Sequence, residues 1–122
     1  MNSIDSGLCE MDLNTILKGP IFPSTLLLPK LESKHQLDWL TQKLNSLLTK
    51  DYKIKLIVFV ESARSLIDMD ELFRHCNALQ GKGAPFNLEA AVFGSDDFCA
   101  DIGSIFSSKI KIRLKCSAFV FT

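Results

Sequence analysis

Apolar and polar positions along this chain follow two different periods, which alternate from one segment to the next. Short apolar runs occur at residues 25–29, 53–60 and 88–93. The second half of 53–60 is apolar on both faces, which is typical of a strand covered on both sides in a parallel sheet. Between these runs the apolar residues recur every third or fourth position, which predicts amphipathic helices. The clearest series is Leu37, Leu40, Leu44, Leu47 and Leu48.

Start and stop signals mark the predicted helices. Residues 10–18 form a short helical pattern that a Gly-Pro pair ends. Ser33 is a predicted N-cap, and Gln36 at the third helical position completes a capping box for the leucine-rich helix. Apolar spacing over 66–79, followed by two nearby glycines, predicts a further helix. A last helix is expected over 97–105.

Strand, helix, strand, helix and strand in this order predict βαβ units and a parallel sheet. Ligands of such sheets bind at the carboxyl ends of the strands. Charged residues follow all three predicted strands, so these side chains are expected to share one edge of the sheet. They are Lys30 and Glu32, then Glu61, then Asp96 and Asp97.

Two interpretations fit the acids Glu61 and Asp97. They could converge on a hard divalent cation such as magnesium, which prefers carboxylate and water oxygens. Alternatively, they could only cap the helices that follow them. Lys30 is interpreted as a solvated rim residue. His35 and His75 have no partner at ligand spacing and are interpreted as non-catalytic.

The composition of the chain argues against several classes of function. The 122 residues suit one domain, and 14 basic residues balance 14 acidic ones, which argues against a nucleic-acid partner. No apolar run approaches the roughly 20 residues of a membrane span, so no membrane partner is expected. The four cysteines form no CxxC pair, which favours reduced intracellular thiols. The N-terminal residues resemble neither a secretory signal nor a mitochondrial presequence, so by itself the sequence suggests a cytoplasmic protein.

Four segments also carry a family resemblance. NSIDSGLCEMDL, LLLPKLES, IVFVESARSL and AAVFGSDDFCADIG, in this order, resemble the citrate lyase beta-like proteins of the HpcH/HpaI aldolase and citrate lyase superfamily. The resemblance covers residues 2–108. It implies an α/β fold, a partial TIM (β/α)8 barrel with about three parallel βα units. Residues 1–108 would be the barrel part, and 109–122 a divergent tail whose alternation also suits an amphipathic strand.

The resemblance also implies chemistry. Members of the family cleave or form C–C bonds in CoA esters of 2-hydroxy acids such as citramalyl-CoA or malyl-CoA, with Mg²⁺ as cofactor. The positions that match the family's magnesium ligands are Glu61 and Asp97. Similar animal proteins are mitochondrial and tend to form trimers. We further infer that Gly94 and Ser95 let backbone amides approach the carboxylate of a 2-oxo acid.

The sequence departs from the family pattern in ways that affect activity. A complete barrel takes about 250 residues, so the chain resembles a truncated central fragment. The family's substrate-binding arginine, expected just before NSIDSGL, and its late catalytic aspartate have no counterpart, so no catalytic residue is assigned. We therefore expect an incomplete, inactive form. The alternatives are a non-enzymatic variant that associates with complete subunits and, more remotely, a receiver-like magnesium-binding domain.

Overall fold

The computed structural model describes residues 1–103 and 118–120 of the chain. Its strands and helices alternate in the order that the sequence predicts. After a 3₁₀ turn at Ile4–Ser6, the elements are α1 Cys9–Leu17, β1 Thr25–Leu28, α2 Lys34–Leu47, β2 Ile54–Val60, α3 Ala63–Ile67, α4 Met69–Gly81, β3 Phe86–Phe93, α5 Ser95–Asp101 and β4 Ala118–Val120.

The sheet has the strand order β1-β2-β3-β4, in which the first three strands are parallel and β4 is antiparallel to β3. Leu56 of β2 pairs with Leu26 on one side and Leu88 on the other. Parallel strands that lie side by side in chain order are the arrangement of a βα barrel. A receiver-type sheet would instead place its second strand before its first. The receiver-like alternative is therefore wrong.

One face of the sheet packs against α2 and α4 and carries the core. Alternate strand residues point to this face because successive side chains of a strand point in opposite directions. Each such side chain contributes about 1.5–3 kcal/mol when it is fully removed from water. The buried residues of this layer include Leu26, Leu28, Ile54, Leu56, Val58, Phe86 and Ala91 from the strands, with Leu37, Leu40, Leu44, Leu72 and Cys76 from the helices.

The opposite face of the sheet is open among the described residues. Leu27 is 46% exposed there, and Ile57 and Phe59 are half-buried. Lys55 and Glu89 form an exposed ion pair of 3.1 Å on neighbouring strands. Within residues 1–103 and 118–120, the expectation that the strands are covered on both sides is therefore not met. Helices on one face only, beside strands in chain order, agree with a partial TIM-barrel-like fold, in which the open face would turn toward the barrel interior.

Most helix boundaries lie close to where local sequence signals predict them, and two helices differ from the prediction. The capping box of Ser33 and Gln36 is present at the start of α2. The single helix predicted over 66–79 is two helices that meet at Asp68, which ends α3 and begins α4. The last helix starts at Ser95 rather than at residue 97 and ends at Asp101.

The tail contributes an edge strand. Residues Ala118–Val120 pair with β3, so this segment extends the sheet and does not fold over its open face. The possible strand around residues 110–114 lies outside the described part of the chain. None of the helices within residues 1–103 is both long and apolar enough to span a membrane.

Candidate functional site

A cavity of about 200 Å³ lies at the carboxyl ends of β1, β2 and β3. It is strongly acidic, because four carboxylates and one ammonium group surround it. Such a balance of charge favours a cation over an anion. The lining residues are Lys30, Glu32, Glu61, Ser62, Asp97, Ala100 and Asp101.

Glu61, the first residue after β2, is held through its backbone and its side chain. Its own N–H donates to Oγ of Ser65 at 3.2 Å. Its side-chain Oε2 accepts the N–H of Lys30 at 3.2 Å. Lys30 follows β1, so the Glu61 carboxylate connects the ends of two neighbouring strands.

Gly94, the first residue after β3, provides the space that Glu61 occupies. A Cβ atom at position 94 would lie 2.6 Å from Cγ and 2.9 Å from Oε1 of Glu61. The N–H of Gly94 donates to the carbonyl of Val60 at 2.9 Å. The amide contact to a ligand that the sequence suggested for Gly94 is thus already taken up by the sheet. Neither Gly94 nor Ser95, the first residue of α5, lines the cavity.

Burial raises the pKa of Glu61 above its ordinary value, and the negative charge of Asp97 adds to this effect. The N–H and the ammonium group of Lys30 act in the opposite direction on the same pKa. Glu61 and Asp97 therefore sense each other electrostatically inside one cavity. A cation between them would replace this repulsion by attraction.

Asp97 lies in the first turn of α5, where the helix N-terminus favours negative charge. Both Asp96 and Asp97 are exposed, but only Asp97 lines the cavity. Packing of Phe98 against Phe93, with ring centroids 5.1 Å apart, fixes α5 on the end of β3.

Neither of the two acids is the N-cap residue of the helix that follows it. The N-cap of α3 is Ser62, whose side chain accepts the N–H of Ser65 in a capping box. The N-cap position of α5 is Gly94, and no side chain caps that helix. Glu61 and Asp97 therefore leave the N-cap positions of these helices to other residues, although Asp97 lies in the first turn of α5.

The two histidines lie away from this cavity. Nε2 of His75 lies 2.7 Å from Oδ1 of Asp38, which joins α4 to α2. His35 is exposed and lines a separate cavity of about 180 Å³ at the starts of α2 and α4. Among residues 1–103 and 118–120, no cluster of three or more His, Cys, Asp or Glu residues could hold a metal. A cation bound by Glu61 and Asp97 would therefore complete its coordination with water or substrate.

Two residues contribute contacts to the site that the sequence did not predict. Lys30, interpreted as a solvated rim residue, is exposed but also donates its N–H to Glu61. Asp101 accepts the N–H of Ala63 at 2.8 Å and so joins α5 to α3. The Ser62-x-x-Ser65 pattern after β2 was a detectable helix-start signal. The contacts of Lys30 and Asp101 had no local signal, because their partners are 31 and 38 residues away.

Fold and site together define an α/β protein whose open sheet of three parallel strands agrees with a partial TIM-barrel-like fold and carries an acidic cavity at its strand ends. Residues 1–112 match the model of the HpcH/HpaI aldolase/citrate lyase family, and the chain belongs to that family. It is 36% identical over 112 residues to the mitochondrial citramalyl-CoA lyase of Homo sapiens, across 89% of this chain and 33% of that protein. The Rattus norvegicus and Mus musculus proteins of that name are 38% identical over 108 residues, across 85% of this chain and 31% of each relative. The chain thus spans about a third of the length of these relatives.

Proposed function

We propose that this chain carries the magnesium-binding part of a C–C lyase that acts on the CoA ester of a 2-hydroxy acid, of the citramalyl-CoA or malyl-CoA type. The observation that carries the proposal is the convergence of Glu61 and Asp97 on one acidic cavity at the strand ends. The names of the relatives, citramalyl-CoA lyases, support the substrate class.

The donor set suits Mg²⁺. Glu61 and Asp97 would hold the ion, and two carboxylates leave most of an octahedral shell to water and substrate oxygens. Gly94 leaves room for the Glu61 side chain, and Lys30 holds one of its oxygens. These features agree with a small, hard cation bound beside an oxygen-rich substrate.

In the cleavage of a citramalyl-CoA type ester, the hydroxyl group loses its proton and becomes the carbonyl of pyruvate as one C–C bond breaks, and the enolate of acetyl-CoA that is released takes up a proton. Mg²⁺, when bound, would stabilise the negative charge on the hydroxyl oxygen that becomes the new carbonyl. The role of this chain in the reaction would be to hold the cation in the cavity at the strand ends. No described side chain is assigned to the proton transfer.

Cation binding can be tested with Mn²⁺, which takes the same oxygen ligands and has an EPR signal. Glu61→Gln and Asp97→Asn should each weaken Mn²⁺ binding by at least the roughly 10- to 100-fold that loss of an outer-shell partner costs. Asp96→Asn is the matched control, because it removes the same charge from the same helix outside the cavity. Equal affinities for Asp96→Asn and Asp97→Asn would contradict the proposal.

We also propose that the isolated 122-residue chain does not turn over citramalyl-CoA or malyl-CoA. The sheet face that borders the site is open among the described residues, with Leu27 46% exposed. An open site neither excludes water nor orients a substrate from all sides, and loss of positioning costs orders of magnitude in rate. Turnover above that of the Glu61→Gln variant would contradict this part of the proposal.

A second candidate is a non-enzymatic role in which the chain associates with complete subunits of the same family. The open, partly apolar sheet face favours it, because exposed apolar surface promotes association. Co-elution with a complete citramalyl-CoA lyase in size-exclusion chromatography would support this role. Elution of the chain as a homotrimer would instead support self-association.

We propose a mitochondrial location, because the relatives from Homo sapiens and Rattus norvegicus carry that word in their names. Imaging of the tagged protein in cells tests it. A purely cytosolic signal would contradict the proposed location but not the proposed chemistry.

A further inference from the structure

Lys30 has an unusual backbone conformation. In the described part of the chain, it is the only residue other than glycine whose φ is positive, with a value of 51°. Side chains disfavour this left-handed region because Cβ approaches the following carbonyl oxygen. Such residues persist only where the surrounding structure imposes them, and they cluster at ligand sites.

The neighbours of Lys30 impose this conformation. Leu31 is buried in the core, at 2% exposure. Oε1 of Gln36 accepts the N–H of Glu32 at 2.8 Å and the N–H of Ser33 at 3.1 Å. Nε2 of Gln36 in turn donates to Oδ2 of Asp5 at 2.6 Å. The loop that follows Lys30 is therefore held in place from outside the cavity.

The left-handed turn lets the chain continue from Lys30 to the buried Leu31 while the N–H of Lys30 stays on Glu61. The N–H of Lys30 reaches Oε2 of Glu61 across 31 residues of sequence. The other oxygen, Oε1, lies on the side of Gly94, where a Cβ atom would come within 2.9 Å of it. Gly94 precedes the helix that carries Asp97. One oxygen of Glu61 is thus occupied, and the other lies beside Gly94, the residue that precedes the helix of the second carboxylate.

We propose that Lys30 is a positioning residue for cation binding: its left-handed backbone holds Oε2 of Glu61 and leaves Oε1 for the ion shared with Asp97. The proposal rests on the proposed function, because it assumes that Glu61 and Asp97 bind the cation. It assigns the effect to the backbone of Lys30 and not to its ammonium group.

Charge-matched variants separate these two contributions. Lys30→Gly and Lys30→Val both remove the ammonium group, but glycine adopts a positive φ readily and valine resists it. Mn²⁺ affinity is measured by EPR or calorimetry on the full chain. Lys30→Gly should bind Mn²⁺ at least as tightly as the unmodified chain, and Lys30→Val roughly tenfold more weakly than Lys30→Gly. Lys30→Asn, which tolerates the left-handed region, should restore the affinity.

A spectroscopic measurement reports on the contact itself. The amide proton of residue 30 should move upfield in Glu61→Ala, because it loses a carboxylate acceptor, and it should keep its position in Lys30→Gly. If Lys30→Val does not fold, Lys30→Ala against Lys30→Gly makes the same comparison with a smaller backbone penalty.

The outcomes distinguish this proposal from the proposed function. Equal Mn²⁺ affinities for the glycine and valine variants, with binding lost in Glu61→Gln, would overturn the role of Lys30 and leave the cation site intact. Failure of the unmodified chain to bind Mn²⁺ would overturn both. Weakened binding in Lys30→Val, restored in Lys30→Asn, supports the positioning role.

Discussion

Glu61 fills the space that the missing side chain of Gly94 leaves open, so that a Cβ atom at position 94 would lie 2.6 Å from Cγ of Glu61. The two residues follow neighbouring strands, and the N–H of Gly94 also donates a hydrogen bond to the carbonyl of Val60. Glycine is therefore required here by close packing and not by a positive φ. This contact makes the position of the Glu61 carboxylate depend on residue 94.

Gly94→Ala should displace Glu61 and weaken Mn²⁺ binding, with a loss of about 1–3 kcal/mol in the free energy of unfolding from overpacking. Gly81→Ala is the matched control, because Gly81 ends α4 and has no atom within 4 Å of an added Cβ. The control should be neutral or stabilise by up to about 1 kcal/mol. Urea unfolding and Mn²⁺ titration of both variants check this. Equal behaviour of the two would contradict the packing argument.

A double-mutant cycle tests whether Glu61 is the partner that Gly94 accommodates. In a Glu61→Ala background, Gly94→Ala should cost at least about 0.5 kcal/mol less than in the unmodified chain, because the crowded Cγ is gone. The measured quantity is the difference between the two free energies of unfolding. Strict additivity would show that residue 94 is constrained by something other than Glu61.

Leu27 and Leu28 are adjacent in β1 and point to opposite faces of the sheet. Leu28 is 1% exposed, so Leu28→Ala should cost about 2–5 kcal/mol. Leu27 is 46% exposed, so Leu27→Ala should cost less than about 1 kcal/mol. Urea unfolding compares the two variants, and Leu27→Ala should also reduce binding of a hydrophobic dye. Similar losses of stability would show that the open face is covered in solution.

Ser65 organises the turn that carries Glu61. Its Oγ accepts the N–H of Glu61 at 3.2 Å and the N–H of Ser62 at 3.0 Å, and it is 1% exposed. Ser65→Ala leaves these N–H groups without that acceptor and should cost about 1–3 kcal/mol. Ser46→Ala, on the exposed surface of α2, should change stability by less than about 0.5 kcal/mol. Thermal melts of both variants give the comparison.

Cys76 should make stability depend on pH in alkaline solution. Burial raises the pKa of its thiol from 9.0 to about 12. Above about pH 9 the thiol of the unfolded chain loses its proton while the folded one keeps it, so stability falls as pH rises. From about pH 9 to about pH 10 the unmodified chain should lose about 1 kcal/mol more than Cys76→Ala. Urea unfolding under reducing conditions measures both slopes, and parallel slopes would contradict the prediction.

Local sequence signals determined much of the secondary structure of this protein and the positions of its candidate site residues. The capping box of Ser33 and Gln36 and the period of the leucines depend only on residues a few positions apart, so α2 could be predicted with its start. The acids Glu61 and Asp97 were predicted because Glu61 directly follows one apolar strand and Asp97 lies shortly after the next. The family membership was readable from four segments in order, and residues 1–112 match the family.

Only the tertiary structure decided how the strand ends meet. The left-handed backbone of Lys30, its contact with Glu61 and the space left by Gly94 depend on which strands are neighbours and in what register. The same holds for the β3 partner of Ala118–Val120 and for the exposure of Leu27. A sequence pattern specifies which side chains alternate along a strand. It does not specify what packs on each face, because those partners are distant in the chain and are brought together only by the fold.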